Sequence, residues 1–269
     1  MLHDRRALLR ASLIASGAML ARRAGAADET PSWSAPDADV PSATLTTMVF
    51  QSKRLDASTE AYRRWYIEEH GLDYLEIARP FLDRYSRLFV EKAWLGPVDF
   101  DCISELGFRS RQAILDNFKM LDTKEGRAAL ARHPKVGTKP GPNEAHDGPR
   151  RFSTEERLLS GIPRTYDKPG TRLQVVLMRR TADEAQQEAF IKAVTIYGSR
   201  VARQHAASIA RMTLTLAVRE KRRAAPYVDA AFLIWPKAGM EKAFGAPPPE
   251  LEIFNLLDVV LYEPDLQAV

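Results

Sequence analysis

The chain lacks most of the features by which an enzyme class is identified from sequence. It has one cysteine, Cys102, among 269 residues, which excludes an intrachain disulfide. It contains no Gly-x-Ser-x-Gly nucleophile elbow, no Walker phosphate loop and no dinucleotide-binding glycine fingerprint. No run of apolar residues is long enough to cross a bilayer as a helix. These absences give no support to nucleophile-elbow, P-loop or dinucleotide-binding enzymes as starting hypotheses.

Most of the chain also lacks a net charge. The full sequence has 39 lysines and arginines against 35 aspartates and glutamates, but residues 1–26 hold five arginines and one aspartate. The rest of the chain therefore carries 34 charges of each sign. A formally neutral protein has no overall field that attracts polyanions. We therefore expect neither nucleic acid nor an anionic membrane surface as a partner.

The first 26 residues have the pattern of an export signal. Arg5 and Arg6 precede a moderately apolar stretch over residues 11–21, and the segment ends in small residues up to Ala26. This pattern is typical of a secretory signal peptide, and the paired arginines resemble the twin-arginine type. We expect cleavage near Ala26, a Pro/Ser-rich leader over residues 27–43, and an exported, periplasmic protein. An N-terminal amphipathic helix is the alternative.

Apolar periodicity and turn residues divide the rest of the chain into two halves. The first half covers residues 44–165 and the second covers residues 166–269, and each is predicted as β-α-β-β-α-β. This is the element order of a ferredoxin-like sandwich. A loop over residues 131–150 is long enough to have a function of its own.

A single sandwich of this kind leaves one sheet face bare, because both helices pack on the other face. We therefore predict an α+β fold in which two ferredoxin-like repeats pack sheet to sheet as an intrachain dimeric α/β barrel. Two independent domains on a flexible linker are the alternative, which the junction disfavours because it has no low-complexity spacer.

The helix predicted over residues 58–75 carries the strongest functional signal. At 100° per residue, five of its side chains fall along one stripe: Tyr62, Trp65, Tyr66, Glu69 and His70. The stripe begins as an aromatic surface and ends in a carboxylate and an imidazole, as is typical of the rim of a ligand cavity. Trp65 and Tyr66 also fit a core role, and His70 also fits a cation that complements a helix C-terminus.

Residues 56–70, which include Tyr62, Trp65, Tyr66 and His70, resemble the first-helix motif of EthD-type proteins of the dimeric α/β-barrel superfamily. Residues 101–108 and 153–156 are similar to the third and last strands of that family. The resemblance covers about residues 45–160. Gly71 departs from the family pattern, in which an apolar residue and a proline commonly follow the histidine.

The resemblance implies a small-molecule site between helix and sheet. By analogy, His70 is the candidate general acid/base, since imidazole suits proton transfer near neutral pH, and Glu69 is its electrostatic partner. Four further positions are candidate ligand contacts: Tyr62, Trp65, Tyr66 and Glu105. No cofactor is predicted, although haem enzymes occur in the superfamily and His205 would be the haem-ligand candidate.

Metal and thiol chemistry have little support in the sequence. His133 and His146 flank the 131–150 loop, and Glu144 and Asp147 lie near the second histidine. Their spacing is not that of zinc or non-haem iron ligands, so we predict no metal site. Cys102 lies in an apolar strand with no adjacent basic residue, as expected of a buried core cysteine.

Two classes of function remain open. The first is a cofactor-independent enzyme of oxygenase, decarboxylase or isomerase type, which acts on a small apolar or aromatic compound and uses His70 for proton transfer. The second is a non-catalytic ligand-binding or accessory protein with the same cavity. A haem peroxidase-like protein, and a structural protein whose barrel serves homo-oligomerisation, are further alternatives.

Replacement of Arg5 and Arg6 by lysine tests the export prediction. Because the twin-arginine signal is recognised by its paired arginines, we expect the double variant to accumulate in the cytoplasm as uncleaved precursor, measured by immunoblots of fractionated cells. Arg10→Lys lies outside the pair and should leave export unchanged. A double variant exported as well as the unchanged protein would contradict the twin-arginine assignment.

Overall fold

The computed structural model describes residues 44–53, 57–131, 150–164, 166–181, 187–217, 228–237, 246–264 and 266. The chain divides into two units, Met1–Asp37 and Ala38–Val269, and all the described residues belong to the second. The predicted signal peptide and leader lie outside the described residues. The same holds for positions 132–149 of the long loop, which include the candidate metal ligands.

Eight described strands close into one antiparallel barrel in the order β1-β3-β2-β8-β5-β7-β6-β4, and β4 pairs with β1. The strands are β1 (Thr44–Gln51), β2 (Leu82–Leu95), β3 (Cys102–Phe108), β4 (Arg150–Ser160), β5 (Thr171–Arg180), β6 (Ile209–Ala217), β7 (Ala230–Pro236) and β8 (Leu251–Tyr262).

The described helices connect these strands. They are α1 (Thr59–Trp65), a π-helical turn (Tyr66–His70), α2 (Gly71–Ala78), a 3-10 turn (Arg79–Phe81), α3 (Arg111–Asp122), α4 (Lys124–Ala131) and α5 (Gln187–Gln204). Among the described residues, no helix has the length and apolarity needed to span a membrane.

The predicted α+β fold of two ferredoxin-like repeats packed sheet to sheet is wrong, and so is the intrachain dimeric α/β barrel. The outermost strands of the two halves hydrogen-bond to each other instead. β2 pairs with β8, which sets Leu88 opposite Leu261, and β4 pairs with β6, which sets Glu156 opposite Thr215. These two seams satisfy the backbone groups that separate sheets would leave exposed at their edges. The eight strands therefore form one closed sheet.

Local signals in the sequence account for the helix starts. α1 begins after Ser58, whose hydroxyl accepts a hydrogen bond from the Ala61 N–H at 3.1 Å. α3 begins in the same way after Ser110, which accepts from the Ala113 N–H at 3.0 Å. Serine at such a cap satisfies one of the N–H groups that the first turn leaves without a partner.

The barrel has an interior and an outer face because strand side chains alternate. One apolar cluster draws on six strands and fills part of the interior; its buried members include Met48, Leu88, Ile103, Leu173, Leu233 and Leu257. A second cluster packs α5 against the outer face and includes Val176, Val194, Tyr197, Leu214 and Phe232. The helical segment from α1 to α2 packs on the outer face of β2 and β3.

Residues 44–165 expressed alone should dimerise or aggregate. This fragment leaves the outer edges of β2 and β4 without their partners β8 and β6, and it exposes the five buried members of the interior apolar cluster that it contains. We expect size-exclusion chromatography with light scattering to report oligomers, whereas residues 44–269 should remain soluble and unfold cooperatively. A stable monomeric fragment would contradict the dependence of the fold on closure.

Candidate functional site

The predicted aromatic stripe packs on the outer face of β2 and β3. Tyr62 and Tyr66 are each 2% exposed, and they form a cluster with the buried Phe89 and Cys102. Trp65 is partly buried against the same cluster. We call the contact region between the α1–α2 segment and the outer face of β2 and β3 the helix–barrel site.

His70 packs against two aromatic rings, Trp65 and Tyr66, which also contact each other with centroids 5.8 Å apart. Its imidazole stacks on Trp65 with ring centroids 4.9 Å apart and on Tyr66 with centroids 5.0 Å apart. Tyr66 in turn stacks on Tyr62 at 5.6 Å. His70 is itself partly buried. The structure thus brings together four of the predicted site residues, with the imidazole at the end of an aromatic stack.

The π-helical turn determines which residues of the stripe point inward. The Gly71 N–H donates to the Tyr66 carbonyl five residues back, so the turn holds one more residue than an α-helical turn. Glu69 is exposed on this turn. It does not pair with Arg63, which binds Glu91 at 2.6 Å. The structure therefore separates Glu69 from the aromatic stack, because the 100° spacing used to align the stripe does not apply through a π-helical turn.

Burial suppresses ionisation of the phenols and of the thiol in this site. Desolvation raises the pKa of Tyr62 and of Tyr66 well above the usual value. The Tyr66 hydroxyl shares a 2.7 Å hydrogen bond with Ser104. Burial also raises the pKa of Cys102 to about 12, although the positive charge of Arg87 opposes this shift. Cys102 is a buried free cysteine and stays protonated at neutral pH.

Arg87 is a site residue that the sequence analysis missed. Its side chain is fully buried on the outer face of β2, and its guanidinium lies over three tyrosine rings: Tyr85 at 4.3 Å, Tyr262 at 5.2 Å and Tyr66 at 5.7 Å. The signal that was available is the alternation of β2, which places Arg87 between the aromatic side chains of Tyr85 and Phe89 on one strand face.

Glu105 lies on the other side of the barrel wall. It neighbours Ser104 on β3, so its side chain points into the interior while Ser104 faces the helices. Glu105 is fully buried there and binds Arg164 at 2.5 Å, with Arg84 at 3.5 Å. The structure therefore does not bring Glu105 together with Tyr66 and His70.

A network of buried charges occupies the interior around Glu105. Arg164, from the segment that joins the two halves, also donates to Ser86 at 2.6 Å and to Glu263 at 2.9 Å. Two further ion pairs of 2.6 Å complete the network, namely Arg84 with Glu156 and Arg211 with Asp167. The barrel interior is thus apolar in one part and charged in another.

The two buried glutamates of this network differ in their ionisation. Burial alone would raise the pKa of Glu105, but the positive charges of Arg84 and Arg164 outweigh it and hold the pKa below its usual value. Burial raises the pKa of Glu263, and the charge of Arg164 offsets this only in part. Glu105 is therefore the anion on which the surrounding arginines depend.

A shallow cavity of about 360 Å³ lies near the β2–β8–β5 seam. Five of its eight lining residues are polar or charged, namely Glu91, Lys92, Arg172, Gln174 and Asp258, and the others are Leu173, Pro236 and Val259. None of the residues predicted for the site lines this cavity.

The described residues bear on the two metal-based alternatives only in part, because the candidate metal ligands of the 131–150 loop lie outside them. Within the described part of the chain, no group of three His, Cys, Asp or Glu side chains is placed to hold a metal ion. His205 follows α5, but the contact of α5 with the barrel is closely packed. A Cβ on Gly198 would meet the Phe232 ring at 2.7 Å, and Tyr197 and Val201 are buried there. α5 is therefore closely packed on the barrel one to two turns before His205.

Comparisons with known proteins give only distant structural similarity. No protein-family model and no curated protein sequence matches the chain. One similar solved structure is a protein from Fusobacterium nucleatum that is provisionally described as a monooxygenase, with 9% identity, 83% of this chain and 94% of that chain covered, and a TM-score of 0.45. The EthD-type resemblance therefore stays a prediction.

Two other similar structures come from haem-related proteins. A point mutant of chlorite dismutase from Candidatus Nitrospira defluvii has 11% identity, coverage of 85% of this chain and 94% of that chain, and a TM-score of 0.41. A heme-binding protein from Thermus thermophilus has 12% identity, coverage of 84% and 93%, and a TM-score of 0.41. Similarity at this level transfers neither activity nor cofactor to this chain.

Replacement of Glu105 by glutamine tests the buried network. Because the folded-state pKa of Glu105 is lowered, its ion pairs stabilise the protein above the usual carboxylate pKa, and this contribution is lost as the pH falls through the folded-state pKa. We expect Glu105→Gln to lower the free energy of unfolding at pH 7 by about 3 kcal/mol. The difference should shrink below about pH 4, as measured by urea unfolding across a pH series.

Glu263→Gln is the matched control. The pKa of Glu263 is raised, so its folded environment favours the neutral carboxyl, which an amide resembles. We expect this variant to lose much less stability at pH 7 than Glu105→Gln. Equal losses in the two variants would contradict the assignment of Glu105 as the central anion.

Proposed function

We propose that the chain is an exported small-molecule-binding protein that accepts a small aromatic compound at the helix–barrel site, where His70 transfers protons to or from it. The observation that carries this proposal is the position of the His70 ring on the π-helical turn, where it packs against both Trp65 and Tyr66. Export rests on the sequence of residues 1–26 alone.

The π-helical turn supports a functional role for this segment. π-helical turns are rare, and they occur frequently at functional sites, since an inserted residue re-aims neighbouring side chains at a cost in stability. Here the turn leaves Glu69 exposed, keeps Tyr66 against the outer face of β2 and β3, and sets His70 on the Tyr66 ring. A residue that only complemented a helix C-terminus would gain nothing from this irregularity, because α2 continues directly after His70.

The surroundings of His70 suit an aromatic ligand. The rings of Tyr62, Trp65 and Tyr66 offer a stacking surface that ends at the imidazole, and offset stacking is favourable between aromatic rings. A ligand that extended this stack would set an acidic C–H or O–H beside the imidazole. Proton transfer by a positioned histidine accelerates reactions by about 100-fold to 10,000-fold.

A non-catalytic ligand-binding protein is the second candidate function. The 360 Å³ cavity near the β2–β8–β5 seam favours it, because no histidine lines that cavity. Charged side chains such as Lys92, Arg172 and Asp258 would select a polar ligand there, whereas the helix–barrel site would select an aromatic one. The position of ligand binding therefore distinguishes the two functions.

Exchange of α-protons in 2-tetralone, an aromatic ketone, tests proton transfer at His70. In D2O, we expect the protein to accelerate deuterium uptake at the acidic carbon above the buffer rate, as followed by NMR. His70→Gln should reduce this acceleration at least ~100-fold while the urea midpoint stays nearly unchanged, because a partly buried histidine contributes little to the core.

His205→Gln provides the control for this measurement. His205 lies after α5, remote in sequence from the helix–barrel site, so its replacement should leave the exchange rate unchanged. Loss of exchange in both histidine variants, or no loss in His70→Gln, would contradict the role proposed for His70. Binding of 2-tetralone without any exchange would favour the non-catalytic function.

A further inference from the structure

Arg87 is a buried cation without a hydrogen-bonded partner. Its side chain is 0% exposed, and none of its three guanidinium nitrogens has a hydrogen-bond partner among the described residues. The guanidinium lies instead against the faces of the Tyr66, Tyr85 and Tyr262 rings. A guanidinium carries five N–H donors in one plane. The rings compensate part of its charge but do not provide acceptors for these donors.

Arg84, on the same strand, provides a comparison because it is a buried arginine with an ion-pair partner. It lies three residues from Arg87 on β2, is 7% exposed, and binds Glu156 at 2.6 Å on the interior side of the wall. An unpaired buried charge destabilises the folded protein, whereas each cation–π contact stabilises it by about 0.5 to 2 kcal/mol. Arg87 therefore carries an electrostatic cost that Arg84 does not, and buried residues with such a cost are characteristic of functional sites.

Arg87 packs its guanidinium against Gly71, the residue that follows His70 in the chain. A Cβ on Gly71 would collide with the NH2 nitrogen and with the Cζ carbon of Arg87. The space that a side chain at position 71 would take is therefore filled by the guanidinium. This explains why glycine follows His70 here. It also places a cation against Gly71, the residue next to His70 in the sequence.

We infer that Arg87 binds the anionic group of the ligand, and that this ligand is an aromatic carboxylate. The inference rests on the proposed function, because it names the substrate class of the same helix–barrel site. A carboxylate matches the guanidinium fork with two parallel N–H···O bonds. The surrounding phenol and indole rings fit the aromatic body of such a ligand.

The charge balance of the site favours a monoanion. Another cation on this face, Arg63, packs over Phe89 and is already paired with Glu91 at 2.6 Å. One unpaired guanidinium compensates one negative charge, so a doubly charged phosphate would keep an uncompensated charge in a buried site. Because Arg87 is fully buried, binding also requires the Tyr66–His70 turn to move outward.

Thermal unfolding with benzoate as the probe tests the inference, and benzamide is its neutral counterpart of nearly the same shape. Benzoate at about one hundred times its dissociation constant should raise the Tm by about 5 to 10 °C, and benzamide at the same concentration should raise it much less. In Arg87→Met the benzoate-dependent rise should disappear. Arg87→Lys keeps the charge but lacks the planar guanidinium, so it should retain at most a small part of the benzoate-dependent rise in Tm. This variant replaces Arg87→Met in the test if the methionine variant does not fold.

Arg84→Met provides the matched control for the unliganded protein. We expect Arg87→Met to leave the Tm unchanged or to raise it in the absence of anions, since it removes an unpaired charge. Arg84→Met should lower the Tm clearly, because it removes the partner of Glu156. A fall in Arg87→Met as large as that in Arg84→Met would show that Arg87 is a structural cation held by its tyrosine rings, and would overturn the inference.

The remaining outcomes separate the inference from the proposed function. Equal Tm shifts with benzoate and benzamide, or a benzoate shift that survives in both Arg87 variants, would overturn the carboxylate assignment and leave the aromatic site intact. A benzoate shift that depends on Arg87 but leaves the His70 side-chain NMR signals unperturbed would support the anion site and contradict the role of His70. No shift with either compound would overturn both.

Discussion

Closure of the barrel is the constraint on which the rest of the structure depends. The two seams β2–β8 and β4–β6 join strands that lie far apart in sequence, and every strand thereby gains two hydrogen-bonded neighbours. Closure also separates an interior from an outer face along each strand. The wall formed by β2 and β3 therefore separates two environments. Alternate residues of each strand point into the barrel interior or toward the helices on the outer face.

The two arginines of β2 show the chemical consequence of this wall. Arg84 faces the interior, where Glu105 and Glu156 compensate it, and Arg87 faces the helices, where tyrosine rings surround it. In the interior network, Arg84, Arg164 and Arg211 each pair with a carboxylate. On the outer face, Arg87 has no hydrogen-bond partner among the described residues, and this difference is the reason for placing the proposed site there.

Local features of the fold were predictable from the sequence, but closure was not. Alternation and capping located the strands and the starts of α1 and α3, since these depend on neighbouring residues such as Ser58 and Ser110. Two sheets packed face to face and one closed barrel need the same apolar strand faces, so the pattern does not distinguish them. Only the pairing of strand edges distinguishes two packed sheets from one closed barrel. Pairing between distant strands leaves little trace in the sequence of either strand.

The candidate site was predictable only in part, for a related reason. The stripe of Tyr62, Trp65, Tyr66 and His70 follows from helical spacing, but Glu69 leaves it because the π-helical turn adds a residue that no propensity rule anticipates. Arg87 was missed because alternation alone does not tell whether an arginine between aromatic residues is paired. Besides the alternation of β2, a second indication was Gly71, where the sequence departs from the EthD-type pattern that it resembles. A glycine that directly follows a site histidine in a helix leaves space for another side chain. Here the guanidinium of Arg87 fills the space that a Cβ at position 71 would take.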